Sequence, residues 1–291
     1  MSNKILLIGY PLLLKKMCKC LYVLGNQFDF LVESKHKQKF DVCFPDYTGN
    51  VFFISSFDDT SYTDYFYEKS YDYIFSYIFS LLIPSSLISK ALKGAYNIHP
   101  SYLPYFAGPN PYFWTIRSNV PYGGLTIHHL TDKFDAGDIV VQIKIPLNSL
   151  ETSSSYKIKC DNALPDLLKL FIDSLKNPNH KNIIQKDRFY FKKPSFDDYF
   201  IDWNYSANEV NAIVRACNTE LTCRITLSNI SIELLEVEIT DKVSTVPGTV
   251  LIENNELFIS CDDFFIRISV VFIPKVGFFS GKNFVAYYNL V

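Results

Sequence analysis

Lys4-Ile5-Leu6-Leu7-Ile8-Gly9 is the stretch that decides the fold. Side chains alternate faces along a strand, and here both faces are apolar. The segment therefore reads as a strand buried on both sides, as in a parallel sheet. The apolar run that starts at Ile5 continues to Leu14, broken by Tyr10, and meets Lys15-Lys16 with no small-residue cleavage site. It does not read as a signal peptide and is too short to cross a membrane. After a turn at Gly9, residues 11–24 have helical spacing and end at Gly25. This first β-α unit lacks G-x-G-x-x-G, so a dinucleotide site is not indicated.

Residues 27–32, 51–55 and 72–79 are further strand candidates. Pro84-Ser85-Ser86 predicts a helix through about Leu92, closed by Gly94, with Asn97 opening the next extended piece. Residues 124–130 and 139–145 read as two strands joined by a turn over 132–138, and residues 162–175 as an amphipathic helix ended by Asn177-Pro178-Asn179. Alternating strands and helices predict an α/β fold, a Rossmann-like open and mostly parallel sheet, with sites beyond the carboxyl ends of its strands.

Composition changes after about Asn182, and Lys192-Lys193-Pro194-Ser195 marks a linker edge. Residues 206–217 read as one helix. From Arg224 onward, short alternating strands are separated by turns such as Val246-Pro247-Gly248 and Glu253-Asn254-Asn255. This predicts a C-terminal OB-like β-barrel domain. The expected division is 1–185 and 192–291, and a chain of 291 residues suits two domains. No internal repeat is apparent.

Hydrophobic residues make up 48% of the chain and charged residues 20%, enough to bury a sizeable core. A formal net charge of -2 argues against dependence on wide phosphate-backbone contact. Seven cysteines without C-x-x-C pairing fit a reduced, cytoplasmic compartment, and Cys18-Lys19-Cys20 is too tight for a zinc site, so no metal is expected.

Asn97-Ile98-His99-Pro100 carries the chemistry. In extended backbone Asn97 and His99 leave on one face, and Pro100 holds the residue before it out of the helical region. An amide donor and an imidazole aimed into one space, with Asp135 returning nearby, can stabilise an oxyanion and move a proton. Taken alone, the pattern reads first as a polar strand end with a satisfied histidine. His128 and His129 point to opposite faces of their strand, so at most one faces such a site.

The longer context changes the balance. Gly94-Ala95-Tyr96-Asn97-Ile98-His99-Pro100-Ser101-Tyr102-Leu103-Pro104 resembles the signature of the folate-dependent formyltransferases, N-[IL]-H-P-S-L-L-P. Gly108 supplies the glycine that follows it in that family and Asp135-Ala136-Gly137 the later Asp-x-Gly loop. Gly124-Leu125-Thr126-Ile127-His128 resembles the G-V-T-x-H strand, Ile139-Val140-Val141-Gln142 the strand after the loop, and residues 73–83 the strand and loop that line the folate pocket. Asp198-Tyr199-Phe200-Ile201-Asp202-Trp203 with Val214-Arg215-Ala216 resembles the accessory domain of methionyl-tRNA and aminoarabinose formyltransferases.

The resemblance implies an N-formyltransferase that uses N10-formyltetrahydrofolate as co-substrate, with 1–185 as its catalytic domain. It implies Asn97, His99 and Asp135 as the catalytic set. Phe79, Leu82, Ile83 and Asp138 would line the folate pocket, and Tyr102, Asn110, Trp114 and His128 would contact the substrate. Tyr105, Tyr112 and Tyr122 are further aromatics suited to a base or sugar.

Departures from the family pattern bear on the acceptor. Ala107-Gly108 stands where methionyl-tRNA and aminoarabinose formyltransferases usually carry arginine-glycine, whereas Pro109-Asn110-Pro111-Tyr112-Phe113-Trp114 keeps the later proline and tryptophan of the aminoarabinose pattern. The basic insertion of a tRNA reader shrinks to Ser34-Lys35-His36-Lys37-Gln38-Lys39, which reads as a solvated charged loop. The expected acceptor is a small amine, the amino group of a nucleotide-linked sugar, as in O-antigen or surface-polysaccharide biosynthesis. Initiator methionyl-tRNA, an amino acid or peptide amine, and a non-catalytic folate-binding module are the alternatives. The apolar runs Leu257-Phe258-Ile259 and Phe264-Phe265-Ile266 permit a homodimer interface.

Overall fold

The structure, a computed structural model, describes residues 3–25, 27–58, 63–217 and 221–290. The chain divides into two compact units. One comprises Met1–Gly108, Tyr122–Pro146 and Ile158–Phe191; the other comprises Pro109–Pro121, Leu147–Lys157 and Lys192–Val291.

In the first unit the chain runs β1 (Lys4–Gly9), α1 (Pro11–Leu21), β2 (Gln27–Glu33), a 3-10 turn at Ser34–His36, α2 (Lys37–Cys43), β3 (Val51–Ile54), α3 (Thr63–Glu68), β4 (Tyr71–Tyr77), α4 (Ser85–Ile88) and β5 (Ala91–His99). α5 (Pro111–Arg117) is counted with the second unit, after which β6 (Tyr122–His129) and β7 (Ile139–Pro146) complete the sheet. The strand order is β3-β2-β1-β4-β5-β6-β7. β1 to β5 pair in parallel; β5 with β6, and β6 with β7, pair antiparallel. Ile5, Leu6, Leu7 and Ile8 are completely buried, as a central parallel strand requires. The order reverses between β1 and β4, the place where an open α/β sheet leaves a crevice beyond its carboxyl ends.

Several sequence expectations are corrected. The helix expected through about Leu92 stops at Ile88, and β5 begins at Ala91. Ala91 and Gly94 pair with Tyr71 and Tyr73 of β4, and Lys93 lies 2.9 Å from the Asp72 carboxylate. Sheet pairing thus overrides the helical propensity of Ala-Leu-Lys, and Asn97 falls near the carboxyl end of β5, not at its start. The charged 34–39 loop is instead a 3-10 turn leading into α2, anchored by buried Phe40 against Phe30 and Phe44. The helix expected at 162–175 is α6 (Ser153–Lys176). Thr152 and Ser155 exchange backbone-to-hydroxyl bonds at its start, and Tyr156, Cys160, Leu164, Leu168 and Phe171 form its buried stripe across Pro165.

A buried carboxylate, Asp29, ties the amino ends of the strands. It accepts from Tyr71 at 2.7 Å and Asn50 at 3.0 Å and lies 2.9 Å from Lys4. These contacts hold its carboxyl below the ordinary range although burial works the other way.

The second unit continues through α7 (Phe196–Tyr199), α8 (Ala207–Ala216), β8 (Cys223–Leu227), β9 (Ile230–Val243), β10 (Val250–Glu253), β11 (Glu256–Ser260), β12 (Phe264–Ile273), β13 (Gly277–Ser280) and α9 (Gly281–Tyr287). Ser206 and Glu209 form a capping box at α8. The strands make one antiparallel, barrel-like sheet in the order β10-β11-β12-β9-β8 with β13 on β12, and register shifts bend the long β9–β12 pair. Asn254 and Asn255, both left-handed, form the two-residue turn between β10 and β11. This agrees with the expected C-terminal barrel. Of the two apolar runs suggested for a dimer interface, all but Phe264 are buried, so they serve the core. Among the described residues, no helix is long and apolar enough to cross a membrane.

Candidate active site

The β5–β6 register builds the site. Asn97 pairs with His128 and His99 with Thr126, so four side chains leave one face of the sheet at the carboxyl end of β5. Asp135 joins them from the turn between β6 and β7, in a left-handed conformation with φ 51°. Asn97 Nδ2 donates to His128 Nε2 at 3.1 Å and to Asp135 Oδ1 at 3.3 Å. His99 Nδ1 lies 3.3 Å from Asp135 Oδ1, and the Gly108 N–H donates to Asp135 Oδ2 at 2.8 Å. His99, His128 and Asp135 are buried, whereas Asn97 is half-buried and forms the accessible edge of the cluster.

Carbonyl partners fix the histidine protons, because a carbonyl only accepts. His99 Nε2–H donates to Phe106 O at 2.9 Å, and His128 Nδ1–H donates to His129 O at 2.9 Å. His99 Nδ1 is thereby turned to Asp135 and His128 Nε2 to the Asn97 amide. Burial pushes the His99 imidazole below its ordinary value, against the opposing pull of Asp135 and the Phe106 carbonyl. Burial would raise Asp135, but His99, His128 and the Gly108 N–H outweigh it and hold the carboxyl well below its usual range. Asp135 therefore carries the charge, and His99 is the group that takes up a proton.

Residues that sequence reasoning did not single out hold this arrangement. Buried Thr126 donates to Ser101 O at 2.7 Å and accepts from Leu103 N at 3.3 Å, while Gln142 Nε2 donates to Leu103 O at 3.0 Å. Together they pin the loop after His99. Gln185 Nε2 donates to Asp135 O at 3.2 Å and Gly137 O at 2.6 Å, fixing the Asp135 turn from behind. Glu33, at the carboxyl end of β2, accepts from Ser80 N at 3.1 Å and Ser80 Oγ at 2.9 Å and so anchors the loop after β4. The signal available for Thr126 is its two-residue spacing from His128, which puts it on the site face; nothing local marks Gln185.

The remaining predicted residues are dispersed. Ile83 is 4% exposed and packs in the core cluster that includes Leu31, Ile54 and Leu87. Phe79 is half-buried, its ring 6.1 Å from that of Phe57, and Leu82 is exposed. Asp138 closes the turn, its carbonyl accepting from His129 N at 3.0 Å. Tyr102 meets Tyr122 edge-on at 5.7 Å, with Lys144 over both rings. Tyr105 stacks on Phe189, and Tyr112 meets Tyr156 edge-on. Asn110 and Trp114 belong to the second unit. Asn110 begins α5 with φ 59°, and Trp114 Nε1–H is committed to Lys192 O at 2.9 Å. Of the residues expected to contact substrate, only His128 stands within the Asn97–Asp135 cluster. Among the described residues, no group of three or more His, Cys, Asp or Glu side chains is placed to hold a metal ion.

Comparison with known proteins gives the family. Residues 23–170, just over half of the chain, match the family described as Formyl transferase, and residues 195–288 match Formyl transferase, C-terminal domain. The chain belongs to the formyl transferase family. It is 30% identical over 214 residues to the bifunctional polymyxin resistance protein ArnA of Wigglesworthia glossinidia brevipalpis, an alignment covering 72% of this chain and 33% of that protein. The chain thus spans about a third of the length of that curated relative. Among solved structures, an N-formyltransferase from Helicobacter canadensis, in complex with folinic acid and dTDP-3-aminofucose, superposes with a TM-score of 0.68 at 17% identity. That match covers 92% of this chain and 99% of that one. HypX from Aquifex aeolicus, in complex with tetrahydrofolic acid, superposes at 0.67 with 16% identity, over all of this chain and 48% of its own. These two likenesses show a shared fold.

Proposed function

We propose that this chain transfers the formyl group of N10-formyltetrahydrofolate to the primary amine of a nucleotide-linked amino sugar. The carrying observation is the closed cluster of Asn97, His99, His128 and Asp135 at the carboxyl end of β5. Family membership supplies the reaction class, and the bound ligands of the Helicobacter canadensis relative favour a sugar-nucleotide acceptor.

N10-formyltetrahydrofolate supplies an activated formyl carbon. Attack by a neutral amine builds negative charge on the formyl oxygen. The half-buried Asn97 amide can meet that oxygen by exchanging its longer, 3.3 Å contact to Asp135 for the new one. One such donor is worth roughly 3 kcal/mol of barrier. His99 receives the amine proton at Nδ1, where Asp135 Oδ1 stabilises the imidazolium, and its other nitrogen stays fixed on Phe106 O. As the carbon–N10 bond breaks, a proton passes to N10; an acceptor that arrives as ammonium releases one further proton to solvent.

For the folate, the 134–138 turn offers backbone groups on one side and the loop after β4 offers Phe79 and Leu82 on the other. The core position of Ile83 removes it from this lining. The test is a tetrahydrofolate-release assay against sugar nucleotides bearing an amine, amino acids and charged tRNA. Turnover confined to the amino-sugar nucleotides is expected. Turnover confined to charged tRNA or free amino acids would overturn the acceptor assignment.

A further inference from the structure

The loop after β4 opens on a strained residue. Ile78, the first residue beyond Tyr77, has φ 53°. A β-branched side chain in the left-handed region persists only where the surroundings over-determine the backbone. Buried Ile83 fixes the far end of the loop in the core, and Glu33, the last residue of β2, fixes the near end. Ser80 N–H donates to Glu33 Oε1 at 3.1 Å, and the Ser80 hydroxyl donates to Oε2 at 2.9 Å. β1 stands between β2 and β4 in the sheet and ends at Gly9. A Cβ on Gly9 would stand 1.9 Å from Tyr77 O, so glycine there lets the end of β4 close in on β1. Burial would raise the Glu33 carboxyl, but Lys35, 2.6 Å away, and the two Ser80 donors outweigh it and hold it below the ordinary range. A buried charge is costly, and two of the donors that meet this one belong to the loop.

We infer that Glu33 is a positioning residue for the folate co-substrate: by clamping Ser80 it holds residues 78–84 in the conformation that presents Phe79 and Leu82 to the folate. The inference rests on the proposed function. Glu33 acts through Ser80, without touching folate and without a part in the chemistry at Asn97 and His99. Releasing the clamp lets Ile78 relax out of the left-handed region, so that only a fraction of the molecules hold the loop ready. Apparent affinity falls by that fraction, while folate once bound reacts as before.

Steady-state kinetics with N10-formyltetrahydrofolate, calorimetry with tetrahydrofolate and thermal melting test this on the full chain carrying Glu33→Ala, Ser80→Ala or both. Glu33→Ala is expected to raise KM and Kd for the folate together, about five- to tenfold, with a smaller change in kcat. Ser80→Ala removes one of the two bonds at an exposed position and should move both constants the same way by a smaller factor. The double variant should match Glu33→Ala alone, because the carboxylate acts through Ser80. Wild-type KM and Kd in Glu33→Ala would overturn the positioning role alone, even with a lowered melting temperature. So would effects that multiply in the double variant. Should Glu33→Ala not fold, unchanged folate affinity in Ser80→Ala would overturn it equally. A wild-type chain that neither binds tetrahydrofolate nor transfers the formyl group would overturn the proposed function as well.

Discussion

Asn97 and His128 face each other across the β5–β6 pair, amide nitrogen to ring nitrogen at 3.1 Å, in directly opposed register. With the ring neutral and His128 Nδ1–H fixed on its neighbour's carbonyl, Nε2 accepts, and this sets which way the Asn97 amide points. The proposed oxyanion donor is thus oriented by the strand pairing itself.

Asn97→Ala should lower kcat by about a hundredfold or more, the usual loss for one oxyanion donor, with folate affinity little changed. Asn97→Asp should be no better, since a carboxylate would confront Asp135. Steady-state kinetics with calorimetric folate titration separates the two effects; a fall in affinity with kcat intact would place Asn97 in binding instead.

The pH dependence follows from the His99–Asp135 pair. Burial lowers His99, so the neutral base should persist through neutral pH, with activity failing on acidification below its ordinary value of 6.5. Asp135 favours the protonated imidazole, so Asp135→Asn should move this acid limb to still lower pH while reducing kcat. Stability shares the sign: Asp135 is depressed relative to the unfolded chain, so its contribution is present above the unfolded carboxyl value and lost as pH falls through the folded one. The Asn variant should therefore lose stability at neutral pH and show a flatter acid unfolding curve. An acid limb that moves upward would refute the pairing.

Much of this was legible in the sequence, and the exceptions have physical causes. The doubly apolar Lys4–Gly9 run revealed the central strand, and the two-residue spacing of Asn97 and His99 revealed a shared face. The start of β5 was not legible, because Ala91-Leu92-Lys93 favours helix locally and only pairing with β4 overrides it. Ile83 looked like pocket lining because an apolar side chain in a loop does not declare which side it packs on. Gln185 lies 50 residues from Asp135, and a contact of that range leaves no periodic trace.

Gln185 is a positioning residue for the Asp135 turn. Gln185→Ala should lower kcat about tenfold through misplacement of Asp135. It should also shift the acid limb in the same direction as Asp135→Asn, by a smaller amount. A purely structural role would lower the melting temperature and leave the limb where it is.

Gly108 joins a positive φ of 103° to a tight approach, since a Cβ there would stand 2.2 Å from Phe191 O. Gly108→Ala should cost about 1–3 kcal/mol and displace the N–H that Asp135 accepts from, so both melting temperature and kcat should fall. A fully active variant of unchanged melting temperature would show that this backbone contact is dispensable.

The most direct measurement follows an isotope-labelled formyl group from N10-formyltetrahydrofolate into product by mass spectrometry, with an amino-sugar nucleotide as acceptor. The wild-type chain and His99→Ala are compared, and tetrahydrofolate binding is checked for each. The account predicts labelled N-formyl product from the wild type, and a loss of about a hundredfold or more in His99→Ala with folate binding largely retained. A His99→Ala protein that forms the labelled product at the wild-type rate would contradict it.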